Sequence, residues 1–344
     1  MRTLLSPMSV PIAFIGCVTL LTPALGQDAT PIRIGGQPTT TVEGQIAHTL
    51  KNTDILQRNG LDGEVTLFSY GPAVNEALVS GAIDVGFIGD MPSVSLAAAN
   101  APTEVIARQS VFRGAILASA ESGIETMEDL EGRQLAGPVG SSIHLAAVSM
   151  LEKAGLKPGE DVEIINMGFA DLSDGLRAGA VDAVFVWDPW VALFEEEGLA
   201  KVLSSDTSLT MVVAMRKDFR EEHPEAAERF LKAHKEATLF AASNHDLVNG
   251  WFREPEAARA LPEPIVQKAT AIDPQWNATS LDDIRLAFDD AERARYLGLG
   301  DLAFELGVFP IDPPLEEKLD MSIAEEIDAS SWTFDPAAVT VMTE

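Results

Sequence analysis

Two aspartates, Asp90 and Asp188, end two stretches of this chain that are near-copies of each other. The thirteen residues from Leu78 align without a gap on the thirteen from Leu176, and six of the pairs are identical. Each copy has the pattern of a helix end, a Gly-containing turn and a short apolar strand, with the aspartate where the strand stops. Ligands of open α/β sheets lie beyond the carboxyl ends of the strands. The repeat therefore predicts two similarly built lobes whose aspartates face one shared cleft.

A carboxylate at such a strand end has two possible roles. It can cap the helix that follows, or it can meet a cationic group of a ligand. Trp187 precedes Asp188 at the position where the first copy has Gly89. An aromatic ring beside a carboxylate suits an ammonium group through cation–π attraction and ion pairing. Trp187, Asp188 and Asp90 are therefore candidate ligand contacts, while core packing of the ring and helix capping by the carboxylates are the alternatives.

Polar residues also stand at the starts of two predicted helices. Gly140-Ser141-Ser142 opens one helix, and Gln37-Pro38-Thr39-Thr40-Thr41 follows the first predicted strand. Unpaired backbone N–H groups and the helix dipole make such a start attractive to an oxoanion. Hydroxyls that only cap their own helices are the alternative. The candidate ligand-binding residues here are Gln37, Thr39, Thr40, Ser141 and Ser142, with His144 in the following turn. Phe169 and Asp171, after a later strand, are weaker candidates on position alone.

Alternating strands and helices would hold these residues in place. The first set of strands is predicted at 31–36, 65–70 and 83–88, and a second set in the same style at 133–138, 162–167 and 183–186. Helices are predicted between them, and a strand at 211–215 precedes a mostly helical region. This order of elements indicates βαβ units and largely parallel sheets.

Length and composition restrict the class of protein further. The chain has 344 residues, a hydrophobic fraction of 46% and a net charge of −29. Its length suits two lobes, and its charge predicts no binding to nucleic acid or anionic membranes. Residues 1–26 have the pattern of a secretory signal cleaved near Gly26, which predicts an exported protein. Cys17 is the only cysteine, and a lipid anchor there is the less favoured alternative. Cleavage near Gly26 would leave a chain without thiols or disulfides.

Three segments resemble a known family. They are the two copies of the repeat, at 81–87 and 179–189, and the segment from Met127 to Ser141. Together they resemble extracytoplasmic solute-binding proteins of ABC importers, in the branch that takes up nitrate, sulfonates and taurine. The resemblance covers most of the chain after the signal and is strongest from Val65 to Val202. In that family the turn corresponding to Gly140-Ser141-Ser142 lies at the ligand.

The resemblance implies a type II periplasmic-binding-protein fold, with two α/β lobes joined by two crossover strands and a cleft that closes on a solute. We expect lobe one to comprise residues 27–112, lobe two residues 113–208, and the return to lobe one with C-terminal helices residues 209–344. The implied partners are an ABC permease and a separate ATPase, since the chain has no phosphate-binding loop of its own. A monomer without cofactor or metal is expected.

The predicted ligand combines the two kinds of candidate contact. Helix starts favour an anionic head and an Asp–Trp corner favours a cationic tail, which together indicate a small sulfonate or zwitterion such as taurine. A thiamine-precursor pyrimidine or nitrate, bound by the same fold, is one alternative. A lyase or transferase with its active site in the cleft is another, because fold does not determine function. The export signal and the absence of a nucleophile–base pair favour binding over catalysis.

Overall fold

The computed structural model describes residues 29–342, so the predicted signal and Cys17 lie outside the described residues. Eight strands form one curled sheet in the order β2-β1-β3-β8-β4-β7-β5-β6. The strands are β1 Thr30–Gly36, β2 Leu61–Leu67, β3 Val85–Gly89, β4 Thr103–Ser119, β5 Gln134–Gly137, β6 Glu163–Asn166, β7 Ala183–Trp187 and β8 Ala200–Arg216.

Helices connect the strands and cover the sheet. In chain order they are α1 Glu43–Asn52, α2 Ile55–Arg58, α3 Gly71–Ser80, α4 Asp90–Ala98, α5 Ser142–Lys153, α6 Phe169–Arg177, α7 Trp190–Glu196, α8 Lys217–Glu222, α9 Pro224–Ser243, α10 His245–Phe252, α11 Glu256–Arg259, α12 Glu263–Thr270, α13 Asp290–Glu305 and α14 Ser322–Ala329. Short 3₁₀ turns lie at Glu128–Leu130, Pro274–Asn277, Leu281–Asp283, Leu315–Lys318 and Pro336–Ala338. Within residues 29–342 we find no helix that is both apolar and long enough to span a bilayer.

The sheet has two halves of identical connectivity. In one half β1 lies between β2 and β3, all parallel, and in the other β5 lies between β6 and β7, also parallel. We call these halves with their covering helices lobe one and lobe two. Separate hydrophobic clusters fill them, with Phe87 and Phe230 in lobe one and Leu135 and Phe185 in lobe two. The predicted type II periplasmic-binding-protein fold, with two lobes and two crossover strands, is confirmed.

The two crossover strands join the lobes. β4 and β8 each have 17 residues and run antiparallel to each other from Thr103↔Arg216 to Ser119↔Ala200. The part of β8 from Met211 pairs with β3, and the part of β4 from Gly114 pairs with β7. These changes of partner fall near the expected crossings, while the lobe limits 27–112, 113–208 and 209–344 stay a prediction.

The internal repeat forms equivalent structure in both lobes. β3 and β7 have five residues each, all buried, and each follows a helix that ends in a left-handed glycine. These glycines are Gly81, with φ of 74°, and Gly179, with φ of 62°, which occupy matching positions of the repeat. A side chain would be strained at such φ values, so glycine is needed to turn each chain into its strand.

Candidate functional site

A small cavity lies between the lobes where β3 and β7 end. Gly89 and Trp187, the residues just before the two aspartates of the repeat, both line it. Its volume of about 20 Å³ has room for roughly one water molecule. The complete lining of this central cavity is Gln37, Thr40, Gly71, Gly89, Pro92, Phe112, Ser141, Ser142, Trp187 and Met211. The structure therefore brings together five of the predicted contacts, and the closed lobes leave space only for a small group.

Four helices begin around the central cavity. Gly71 is the first residue of α3 and Ser142 the first of α5, while Gly89 immediately precedes α4 and Thr40 lies three residues before α1. None of the described residues that line the cavity carries a charged side chain. The partial positive charges of the helix starts therefore dominate the local electrostatics, which favours an anion.

The loop before α1 is fixed from both sides. Gln37 donates from Nε2 to the Phe87 carbonyl at 2.8 Å, and its backbone N–H donates to Glu43 Oε1 at 2.9 Å. Thr39 donates its hydroxyl to the Ser69 carbonyl at 3.2 Å. Glu43 is fully buried, and no hydrogen-bond partner of its Oε2 lies within the described chain. Burial raises the pKa of Glu43 well above its usual value, against the opposing effect of the Gln37 N–H. The burial of Glu43 therefore disfavours a negative charge beside the anion-favouring cavity.

The two serines at the start of α5 differ in their partners. Ser141 occupies the N-cap position, but its hydroxyl donates back to the Pro138 carbonyl at 2.6 Å and makes no capping bond. Ser142 Oγ accepts from the Met91 N–H at 3.4 Å and so links α5 of lobe two to α4 of lobe one. The capping alternative therefore does not account for the side chain of Ser141.

His144 lies beside this turn and is not among the residues that line the central cavity. Its Nδ1 accepts from the Gly140 N–H at 3.4 Å, and its ring packs on Phe185 with 5.7 Å between ring centroids. Burial lowers the pKa of His144. These contacts give the imidazole a role in supporting the turn, while a contact with ligand stays a prediction.

Both aspartates of the repeat are paired with arginines of the protein. Asp90 Oδ2 accepts from Arg295 Nη2 and from the Thr210 N–H, each at 3.2 Å, and its Oδ1 accepts from the Met91 N–H at 2.8 Å. Asp188 accepts two bonds from Arg113, of 2.8 and 2.9 Å, and one from the Ala192 N–H at 3.1 Å. Each carboxylate thus meets a cationic group, but that cation belongs to the protein. Their predicted pairing with a ligand ammonium gains no support from this geometry.

Trp187 bridges the lobes. Its indole Nε1 donates to the backbone carbonyl of Thr39 at 2.9 Å, from the end of β7 to the loop after β1. Its ring and that of Phe169 meet edge to face, with 4.7 Å between centroids and an angle of 80° between ring planes. Phe169 in turn lines a second, larger cavity.

This larger cavity, which we call the aromatic mouth, has a volume of about 900 Å³. Phe169 stacks on Trp190 in its wall with 5.1 Å between ring centroids, and Tyr70 lines it as well. The remaining lining residues are Pro38, Thr39, Ser69, Pro138, Asn166, Met167, Gly168, Ala170, Asp171, Ser173, Asp174, Arg177, Glu256 and Ala260. Phe169 and Asp171, predicted on position alone, both lie here.

Sequence reasoning missed several residues at the site. Gly71, Pro92, Phe112 and Met211 line the central cavity without having been predicted. Gly71 follows the second strand, so the rule that ligands lie beyond strand ends could have found it. Phe112 and Met211 come from the crossover strands, whose pairing at this point no local pattern reveals. Among the described residues there is no group of three or more His, Cys, Asp or Glu side chains placed to hold a metal ion.

Comparison with known proteins gives consistent relatives. Residues 26–248 match the NMT1-like family. The taurine-binding periplasmic protein of Escherichia coli (strain K12) is 31% identical over 196 residues, which are 55% of this chain and 59% of that protein. A putative binding protein of Brucella abortus (strain 2308) is 25% identical over 331 residues, covering 91% of this chain and 95% of that protein.

Solved structures share the fold. The alkanesulfonate-binding protein SsuA from Xanthomonas axonopodis pv. citri, bound to MOPS, superposes with a TM-score of 0.72 at 21% identity and covers 86% of this chain and 100% of that one. The match with the taurine-binding protein spans about three fifths of that relative's length.

Proposed function

Since this chain belongs to the NMT1-like family, we propose that it is the exported solute-binding component of an ABC importer and captures a small sulfonate or taurine-like zwitterion between its lobes. The named relatives are binding proteins, among them a taurine-binding periplasmic protein. The bound solute would then pass to a membrane permease driven by a separate ATPase. Export by the segment 1–26, with cleavage near Gly26, belongs to the same proposal.

The observation that supports a sulfonate most directly is the convergence of four helix starts on a small cavity whose described lining residues are all uncharged. Backbone N–H groups with the hydroxyls of Thr40 and Ser142 suit the three oxygens of a sulfonate. Three or four charge-assisted hydrogen bonds of about 1.5–3 kcal/mol each total about 5–12 kcal/mol. Micromolar binding requires about 8 kcal/mol. The proposed contacts are therefore large enough for a transport protein's affinity.

The protein would bind its solute without changing it. The central cavity has no ionisable side chain among its described lining residues, so no general acid or base faces the position proposed for the sulfonate. Closure rather than chemistry would be the functional event, with the Trp187–Thr39 bond and the Ser142–Met91 contact holding the lobes together.

Isothermal titration calorimetry of the purified protein tests this proposal. Ethanesulfonate and taurine should bind with micromolar affinity, while nitrate and an aminopyrimidine should bind at least about tenfold more weakly, a difference of 1.4 kcal/mol. Failure of every sulfonate to bind would refute the proposal.

A matched pair of variants locates the binding site. A Cβ at Gly89 would lie 2.2 Å from Ser142 Oγ, so Gly89→Ala drives that hydroxyl or its own methyl group into the cavity. Overpacking of this kind costs about 1–3 kcal/mol, and ethanesulfonate affinity should fall about tenfold or more. Gly250→Ala is the control, because a Cβ there meets nothing within 4 Å. Equal affinities of the two variants would place the ligand elsewhere.

A further inference from the structure

The loop between β1 and α1 contains a strained turn, two residues after Thr40 of the central cavity. At Val42 the backbone has a φ of 63° and a ψ of −56°, close to the values of a classic γ-turn. The Glu43 N–H donates to the Thr41 carbonyl at 2.8 Å and closes this turn. A β-branched residue is rarely found at positive φ, because its side chain meets the backbone there. Such strain persists only where the surrounding structure enforces it, and it concentrates at ligand sites.

The two carbonyls that precede the turn are bound by donors of the protein as well. The Thr40 carbonyl accepts from the Gly44 N–H at 2.8 Å, in the first turn of α1. The Thr39 carbonyl accepts from Trp187 Nε1 at 2.9 Å. The partial negative charges of these oxygens, which would repel an anion, are therefore directed at protein donors.

The donors of the same threonines have no partners. Within residues 29–342 the backbone N–H groups of Thr39 and Thr41 donate no hydrogen bond, and the hydroxyls of Thr40 and Thr41 make none. All three residues are at most 3% exposed. Buried donors without acceptors are unfavourable unless a ligand or a water molecule satisfies them. The turn thus produces a segment whose acceptors are occupied and whose donors are available, which suits an anion.

Gln45 holds the turn from within α1. It is fully buried, and its Oε1 accepts a hydrogen bond from the Val42 N–H. Its Nε2 donates to Asn249 Oδ1 of α10 at 3.1 Å, and Asn249 is only 1% exposed. Gln45 lines neither the central cavity nor the aromatic mouth. Any effect that it has on a bound solute must therefore pass through the turn.

We propose that Gln45 is a positioning residue for the anionic end of the solute, because it holds the strained turn at Val42 that keeps the donors of Thr39–Thr41 free for that end. This inference rests on the proposed function and adds to it a residue that does not touch the solute. Without Gln45 the strained loop becomes a minor conformer. The apparent affinity then falls in proportion to the population of that conformer.

Three variants test the role of Gln45 by isothermal titration calorimetry with ethanesulfonate. Gln45→Met keeps an unbranched side chain but offers no oxygen to the Val42 N–H, so the affinity should fall about tenfold or more, which is 1.4 kcal/mol. Glycine adopts positive φ without a Cβ, so Val42→Gly should change the affinity less than about threefold.

The double variant, Gln45→Met with Val42→Gly, distinguishes positioning from general stabilisation. Its turn is no longer strained, so the affinity should return to within about threefold of the parent's. A merely structural role of Gln45 predicts no such rescue, because glycine removes the buried Val42 side chain from the core of lobe one and adds no contact.

Gln275→Met is the matched control. Gln275 is also buried, its Oε1 accepts from the Arg285 N–H at 2.9 Å, and its Nε2 donates to the Gln109 carbonyl at 3.0 Å. It does not line the central cavity. This variant should lower the midpoint of thermal unfolding in differential scanning calorimetry and leave the ethanesulfonate affinity unchanged.

A milder change covers the case in which Gln45→Met shows no cooperative unfolding transition. Asn249→Ala removes the bond to Gln45 Nε2 and leaves the Val42–Gln45 bond in place. The ethanesulfonate affinity should then fall about 2- to 5-fold, and addition of Val42→Gly should restore it.

The outcomes separate this proposal from sulfonate capture. If the parent binds ethanesulfonate, an unchanged affinity in Gln45→Met, an equal loss in Gln275→Met, or a failure of Val42→Gly to restore the affinity overturns the positioning role and leaves sulfonate capture standing. If the parent binds no sulfonate, sulfonate capture fails and the positioning role fails with it.

Discussion

Replacement of Asp188 by asparagine distinguishes a structural carboxylate from a ligand contact. Asp188 is fully buried, and Arg113 on the crossover strand binds it through two hydrogen bonds of 2.8 and 2.9 Å. In Asp188→Asn the amide oxygen still accepts a hydrogen bond from Arg113, but the amide NH₂ then faces the guanidinium, so that two hydrogen-bond donors oppose each other. Breaking one partner of a buried pair costs about 3–5 kcal/mol.

The surroundings of Arg113 decide where within that range the loss of stability falls. Its side chain is 17% exposed, and Glu195 lies 3.3 Å from Nη1 as a remaining counter-ion. The uncompensated charge is therefore partly neutralised, and we expect a loss near the lower limit, about 3 kcal/mol. With an unfolding entropy of about 2.1 cal/mol/K per residue, a chain of this length loses about 1.5 °C for each kcal/mol, so the midpoint of thermal unfolding should fall by about 4–5 °C.

Two measurements complete the test. Differential scanning calorimetry gives the midpoint, and titration calorimetry gives the affinities for taurine and ethanesulfonate, which should fall by the same factor. Asp182→Asn is the control, because its pair with Arg133 is long, at 3.5 Å, and exposed on both sides, so a change below about 1 kcal/mol is expected. A midpoint within 2 °C of the parent, or a loss confined to taurine, would contradict the structural role.

Three further changes test other parts of the site and core. Trp187→Phe removes the indole bond to Thr39 and should weaken ethanesulfonate binding about two- to tenfold by titration calorimetry. Trp332→Phe loses an indole bond to Glu236, outside the central cavity, and should leave that affinity unchanged. In urea unfolding, Glu43→Gln should have a higher free energy of unfolding than the parent, by a margin that grows from pH 5 to pH 8. The reason is that the raised pKa of Glu43 makes its ionisation unfavourable in the folded state. A margin that does not change with pH would contradict this. Burial lowers the pKa of His234 to about 3, so the folded parent resists the proton that the unfolded chain takes up below about pH 6.5. The free energy of unfolding of the parent therefore falls by up to about 1.4 kcal/mol per pH unit on acidification. His234→Phe, at a position beside Phe87 and Phe230, should lose less stability between pH 6 and pH 4, and an unchanged dependence of stability on pH would count against this reasoning.

The architecture was predictable because its signals are local and repeated. The turn glycines and apolar strands of the repeat predicted β3 and β7, and the alternation of strands and helices predicted the parallel halves of the sheet. The second strand was placed at 65–70 but lies at Leu61–Leu67. Asp62 and Gly63 have low strand propensity, but they lie in β2 because this strand pairs with β1 along its length.

Features that depend on pairing between residues distant in the sequence could not be predicted. β4 was not predicted as a 17-residue strand, because Arg108 and Arg113 interrupt its apolar pattern. Both charges find acidic partners far along the chain, Arg108 at Glu292 and Arg113 at Asp188. The same difficulty affected the site. Asp90 was located correctly at a strand end, but its partner Arg295 lies in α13, and nothing in the local sequence connects them.

The pairing of the two long strands also constrains how the protein forms. β4 and β8 meet along their whole lengths across roughly a hundred residues of intervening chain, so this ladder closes a large loop at a high entropic cost. The inner edge of β3 stays unpaired until β8 joins it, because β8 is its neighbour on that side. During synthesis the N-terminal part therefore keeps an open sheet edge until Arg216 has emerged, and folding of the whole must await nearly two thirds of translation.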